Sequence, residues 1–170
     1  PRGLLVCSLE AGCVAGFVAM VLETCQRFFM ATSGLAGGPS ELLLLASLPL
    51  GYYLADLLSG LIHWVCDSFG NEHTQLWGPM LVGPFRRHHR DPLQITRISL
   101  LENLGASALA GLLVLALWSP EAAHSLPGQA LQWTLLSMIV FAVLSNLFHR
   151  WSHLPLARRP VWMRRAQRRG

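Results

Sequence analysis

Charge is what this chain has least of. Only 13% of its residues are charged, against about a quarter in an ordinary soluble domain. Lysine is absent, so all thirteen basic residues are arginine. A disordered or nucleic-acid-binding chain needs the opposite balance, many charges and few apolar side chains, whereas here 52% of the residues are hydrophobic. No CxxC spacing occurs among Cys7, Cys13, Cys25 and Cys66, and three of these four lie in apolar runs. They read as small buried side chains in a reducing setting. No internal repeat is visible, and 170 residues allow one domain.

What is present is long apolar sequence. Segments of about Leu4–Leu22, Leu42–Cys66, Ile98–Trp118 and Ala130–Phe148 each approach the length that crosses a bilayer. In hydrocarbon a backbone must satisfy its own hydrogen bonds, so these segments are helices. The first, broken only by Glu10, runs on into further apolar sequence and reads as a span rather than a signal peptide. The stretches Ser33–Ser40 and Ser119–Gly128 are rich in turn formers and read as connectors. The fold class predicted is an all-α integral membrane protein with about four transmembrane helices.

The net charge of +4 is clustered beside the apolar segments, which points to topology and lipid head groups rather than to a dissolved anionic partner. Four spans put both ends of the chain and the stretch from Ser68 to Arg97 on one side. That side receives Arg2, the arginines at 86, 87, 90 and 97, and seven more from Arg150 onward. Arg27 alone dissents. Positive charge marks the cytoplasmic side, so three histidine groups are expected at cytoplasmic helix ends: His63, the pair His88-His89, and His149 with His153. His124 falls on the opposite side and His73 in a solvated loop. Trp64, Trp77, Trp151 and Trp162 read as interfacial anchors. The arginines at 158, 159, 164, 165, 168 and 169 are expected over anionic head groups, or against an acidic electron donor.

Asp56, Ser59, Gly60, His63 and Asp67 follow steps of three and four, which makes one polar stripe on an apolar helix. Ionisable groups at membrane depth are costly and face a cavity or a partner. A bland alternative is that Asp56 and His63 pair with a neighbouring helix. His149 and His153 stand at i and i+4, a spacing used by helical metal sites. His88 and His89 are adjacent and about 100° apart on a helix. Both could serve a site with two metals, or one could ligate while the other orients a ligand. The absence of cysteine from these groups argues against structural zinc or an iron–sulfur cluster. Five histidines exceed the needs of one catalytic zinc and suit two irons that activate O2.

Three blocks resemble the plasmanylethanolamine desaturase family, the Kua-type lipid desaturases. The first is Ala55-Asp56, Ser59-Gly60-Leu61-Ile62-His63-Trp64 and Asp67. The second is Gly83-Pro84-Phe85, His88-His89-Arg90-Asp91-Pro92 and Ile95-Thr96-Arg97. The third is Asn146 and His149-Arg150-Trp151-Ser152-His153. The resemblance implies a lipid-desaturase membrane domain over 1–170 with two iron ions. O2 is the co-substrate, cytochrome b5 the electron donor and a membrane phospholipid the substrate. The setting implied is the endoplasmic reticulum membrane, with the site facing the cytosol and no nucleic-acid partner. The reaction implied is formation of the vinyl ether bond of plasmalogens from plasmanylethanolamine. His63, His88, His89, His149 and His153 carry over as iron ligands and catalytic residues, and Asp67 as a ligand or ligand support. Asp56, Asp91 and Asn146 carry over to positions behind the ligands, with Asp91 accepting a hydrogen bond from a ligand imidazole.

The family also places an HHxxHH cluster shortly after its fourth helix. The chain is expected to stop short of that cluster, and by itself to be inactive. The family's polar run after Arg97 is reduced here to Leu101-Glu102-Asn103-Leu104-Gly105. Alternatives to the vinyl-ether reaction are an acyl-chain desaturase or hydroxylase on the same scaffold, and a non-catalytic membrane paralogue or metal carrier.

Overall fold

A computed structural model describes residues 3–32, 39–75, 78–118 and 125–168. The expectations for Trp77 and His124 lie outside the described residues. Helices are α1 (Leu4–Thr32), α2 (Pro39–Ser68), α3 (Gly83–Arg90), α4 (Gln94–Arg97), α5 (Leu100–Trp118), α6 (Leu126–His153) and α7 (Val161–Gln167), and no strand occurs among the described residues. A π-helical turn at Gly78–Val82 leads into α3. Four of these helices, α1, α2, α5 and α6, are long and apolar enough to cross a membrane, with mean hydropathy between 1.4 and 2.1. The all-α membrane fold expected from the sequence is therefore observed.

The helices run further than the apolar segments that announce them. The first was expected to end near Leu22, yet α1 continues to Thr32. Glu23 and Arg27 stand four apart, and Arg27 Nη2 meets Glu23 Oε1 at 2.6 Å. That pairing neutralises the one arginine that broke the topology pattern and carries the helix over a polar turn. The last span starts at Leu126 because Ser125 caps it, its hydroxyl accepting from Gly128 N at 3.3 Å, with Pro127 in the first turn.

Among the long helices, α2 packs on α6, α6 on α5, and α5 on α1, with a smaller contact between α1 and α6. Packing between membrane helices relies on close van der Waals contact, because lipid tails are as apolar as leucine. Gly51 supplies that contact between α2 and α6. A Cβ placed there would lie 1.8 Å from Ser137 Oγ and 2.8 Å from Met138 N. Ser137 Oγ also donates to Ser47 O of α2 at 2.9 Å. The core lies between α1, α5 and α6 and holds Phe17, Phe28, Ala108, Leu115, Leu136, Ile139 and Val143. Phe28 is edge-on to both Trp118 and Trp133, at 6.1 and 5.4 Å. The outer faces stay apolar, with Leu4 89% and Leu117 87% exposed. Water would not tolerate so much open leucine, and a bilayer does.

The orientation expected from the arginines is testable in a background without native cysteines. Cysteines at Gln75 and Ala166, both exposed, should react with an impermeant thiol reagent from the cytosol. A cysteine at Leu126, 44% exposed at the start of α6, should react only from the opposite face. Labelling of positions 75 and 126 from the same side would overturn a four-span topology.

Candidate metal centre

Three helices bring their histidines to one end of the α2–α6 pair. On α2, His63 and Asp67 share a face at i and i+4, and the helix ends at Ser68. Gly70 turns the chain away with φ +82°, a backbone conformation that side chains other than glycine rarely adopt. Pro84 opens α3, and the helix ends at Arg90, before Pro92. His88 and His89 therefore sit in the last turn of a two-turn helix laid across the ends of α2 and α6. On α6, His149 and His153 occupy one face of the final turns.

The adjacent histidines of α3 diverge, one to each long helix. His89 turns to α2: its Nε2 lies 3.0 Å from His63 Nε2 and 3.0 Å from Asp67 Oδ2. His63 Nε2 is 3.4 Å from the same carboxylate oxygen. His88 turns to α6: its Nε2 lies 2.9 Å from His149 Nε2, and its ring centroid is 4.9 Å from that of His153. The rings of His149 and His153 are 4.8 Å apart. Two groups result, His63/Asp67/His89 and His88/His149/His153, and in each the donor atoms lie within 4.8 Å of one another. The rings of His88 and His89, 6.1 Å apart, join the groups.

These spacings fit metal ions. Two nitrogens bound at right angles to one ion, each about 2.1 Å from it, stand about 3.0 Å apart. One group offers three imidazoles. The other offers two imidazoles and a carboxylate, a donor set that suits non-haem iron. The His88 imidazole is held below its ordinary pKa, first by burial, then by His153, His89 and His63, with Asp91 opposing. At neutral pH it is therefore the uncharged ring with a free lone pair, the form that binds a metal. Phe85 packs edge-on against His63, with centroids 4.7 Å apart.

The six residues expected to ligate are thus brought together, and among the described residues the three expected behind them make no hydrogen bond to a site histidine. Asp91 Oδ2 accepts from Arg97 Nη1 at 2.7 Å, and its charge acts on the neighbouring His88. Asp56 is exposed on α2, about 10 Å along the axis from His63. Asn146 lies one turn before His149. Among the described residues, no hydrogen bond joins either to the histidines. His73 stays in the exposed loop, where its backbone N–H bonds Asn71 Oδ1 at 2.9 Å.

Sequence reasoning missed the arginines that tie the segments together. Arg86 Nη2 donates to Asp67 O and Gly70 O at 3.4 and 3.1 Å. Arg90 Nη2 reaches both carboxylate oxygens of Glu72, at 2.9 and 3.1 Å. Arg150 bonds three backbone carbonyls. Arg159 donates to Leu154 O, Ser152 O and Gln167 Oε1. The available signal was position, since Arg86, Arg90 and Arg150 each lie within three residues of a site histidine.

Residues 52–170 match the family described as the lipid desaturase domain. The chain belongs to the lipid desaturase family. It is 32% identical over 152 residues to plasmanylethanolamine desaturase of Myxococcus xanthus, covering 86% of this chain and 50% of that protein. To plasmanylethanolamine desaturase 1 of Mus musculus it is 36% identical over 121 residues, covering 66% and 43% respectively. To fatty acid desaturase 4, chloroplastic, of Arabidopsis thaliana it is 33% identical over 148 residues, covering 85% and 41%. The chain thus spans half or less of the length of these family members. No solved structure matches it.

Proposed function

We propose that this lipid desaturase domain binds two iron ions and uses O2 to desaturate a phospholipid-linked chain, most directly an ether-linked one, giving a vinyl ether. The observation that carries this reading is the pair of three-donor groups, His63/Asp67/His89 and His88/His149/His153. Iron held there supplies, with O2 as oxidant, the power to break C–H bonds that no side chain can break. Two electrons and two protons complete the balance with the two hydrogens removed from the lipid, so that O2 leaves as two waters. An acidic haem protein of the cytochrome b5 type is proposed as the electron source.

The depth of the site supports attack close to the head group. His63 stands five residues before the end of α2, about 7.5 Å of helix rise, while His149 and His153 are in the closing turns of α6. The carbon beside an ether oxygen lies at the glycerol level and meets such a site directly. A mid-chain methylene lies deeper. The likeness to the two plasmanylethanolamine desaturases points the same way, and that to the plant fatty acid desaturase favours a second reading, desaturation of an acyl chain. The proposed setting is the endoplasmic reticulum membrane with the site facing the cytosol.

Lipid analysis of cells lacking the protein separates the readings. Lost vinyl ethers with accumulated alkyl ethers support the first. Unchanged vinyl ethers with a missing unsaturated acyl chain overturn it in favour of the second.

A further inference from the structure

Arg150 sits between His149 and His153 in sequence, yet its guanidinium turns away from both. Its Nη1 donates to Ile95 O at 2.9 Å and to Ile98 O at 2.5 Å, and its Nη2 to Thr96 O at 3.3 Å. These carbonyls lie in and just beyond the single turn of α4 (Gln94–Arg97), where a short helix leaves acceptors without backbone partners. From α4 back to α3 the backbone is held continuously. Thr96 N bonds Leu93 O at 3.0 Å, Gln94 N bonds Asp91 O at 3.0 Å, and Asp91 N bonds Arg87 O at 2.9 Å. The Arg97–Asp91 pair at 2.7 Å closes α4 onto the end of α3. A path of hydrogen bonds therefore runs from α6 through Arg150 to the helix that carries His88.

The opposite side of α3 is tied separately. Arg86 and Arg90 fasten it to the end of α2 and to Glu72. The two halves of the site thus have different supports. His63/Asp67/His89 spans α2 and α3, and His88/His149/His153 spans α3 and α6.

We propose that Arg150 is a positioning residue for the His88/His149/His153 group, holding α3 and α4 at the distance from α6 at which His88 meets His149. This rests on the reading of the two groups as metal sites. Lysine cannot take the role. Its donors radiate from one ammonium, whereas the planar guanidinium spreads its donors over three carbonyls of one turn.

Titration of the purified, detergent-held chain with Co(II), followed by its visible spectrum, tests the proposal without turnover. His89→Ala isolates the α6-side group, and His149→Ala isolates the α2-side group. Adding Arg150→Lys to His89→Ala should weaken Co(II) binding about 10–100-fold, the usual cost of losing a residue that orients a metal ligand. Adding it to His149→Ala should change affinity less than about twofold. Equal loss in both backgrounds would make Arg150 a support of the whole fold and overturn the proposal, as would no loss in either. Failure of the unsubstituted chain to bind Co(II) at all is a separate result, which would remove the metal centre itself and the role of Arg150 with it.

Discussion

With two irons bound as proposed, His89→Ala should nearly abolish desaturation and remove one of the two equivalents. His89 Nε2 is the contact that closes the α2-side group, at 3.0 Å from both His63 Nε2 and Asp67 Oδ2. Without it that group keeps one imidazole and one carboxylate, both on α2. A residue that merely supports a metal ligand costs about 10–100-fold when lost, so removal of a donor should exceed the top of that range. The α6-side group draws its histidine from the neighbouring position, His88, and should keep its metal. His149→Ala or His153→Ala should produce the mirror result, with metal lost from the α6 side. His73→Ala should retain nearly full activity, because His73 is exposed in a loop and joins neither group. Iron analysis and vinyl-ether formation, measured together in a catalytically competent preparation of the protein, check these outcomes. Loss of both irons from His89→Ala would show one shared site instead of two.

The second large effect is expected far from the histidines. Gly51→Leu should destabilise the α2–α6 contact and spoil the site without touching it. Even a methyl group at Gly51 would fall 1.8 Å from Ser137 Oγ and 2.8 Å from the backbone nitrogen of Met138. The backbone atom cannot rotate away, so α2 must shift. Overpacking typically costs about 1–3 kcal/mol, occasionally more, and leucine here should reach the upper end or beyond. His63 and Asp67 ride on α2, so a displaced helix draws them from His89. Gly60→Ala is the control, since nothing lies within 4 Å of a Cβ there. It should be neutral, or stabilising by a few tenths to ~1 kcal/mol, because alanine is the better helix former. Thermal unfolding in detergent and Co(II) affinity read both variants. Equal behaviour of Gly51→Leu and Gly60→Ala would overturn the packing account.

The spacing of single residues along a helix was legible in the sequence, because helix geometry is local. His63 with Asp67 and His149 with His153 share faces by their i, i+4 separation alone. The four spans were legible for the same reason, since a long apolar run in hydrocarbon has one way to satisfy its backbone. Helix ends were less so. Charge in a window hides the extension of α1, which the Glu23–Arg27 pair permits, and the start of α6, which depends on the Ser125 cap. The partner of Asp91 was not legible either, because an acidic residue among histidines and arginines has several available donors, and the fold gives its Oδ2 to Arg97.

The sequence by itself determined the family, the helical class and which residues are candidate donors, because apolar length, i, i+4 spacing and residue chemistry are properties of short stretches. Only the tertiary structure decided the pairing. Two adjacent histidines point about 100° apart on any helix, and the sequence left open whether they would face one neighbouring helix or two. The answer required α3 to lie across the ends of both α2 and α6, so that His89 meets His63 and His88 meets His149. That placement is set by contacts distant in sequence: Gly51 against α6, Arg86 on the end of α2, and Arg150 on the turn after α3. A backbone carbonyl leaves no mark in the sequence as a hydrogen-bond acceptor, so the arginines that bind these carbonyls read as surface charge until the fold brings them together.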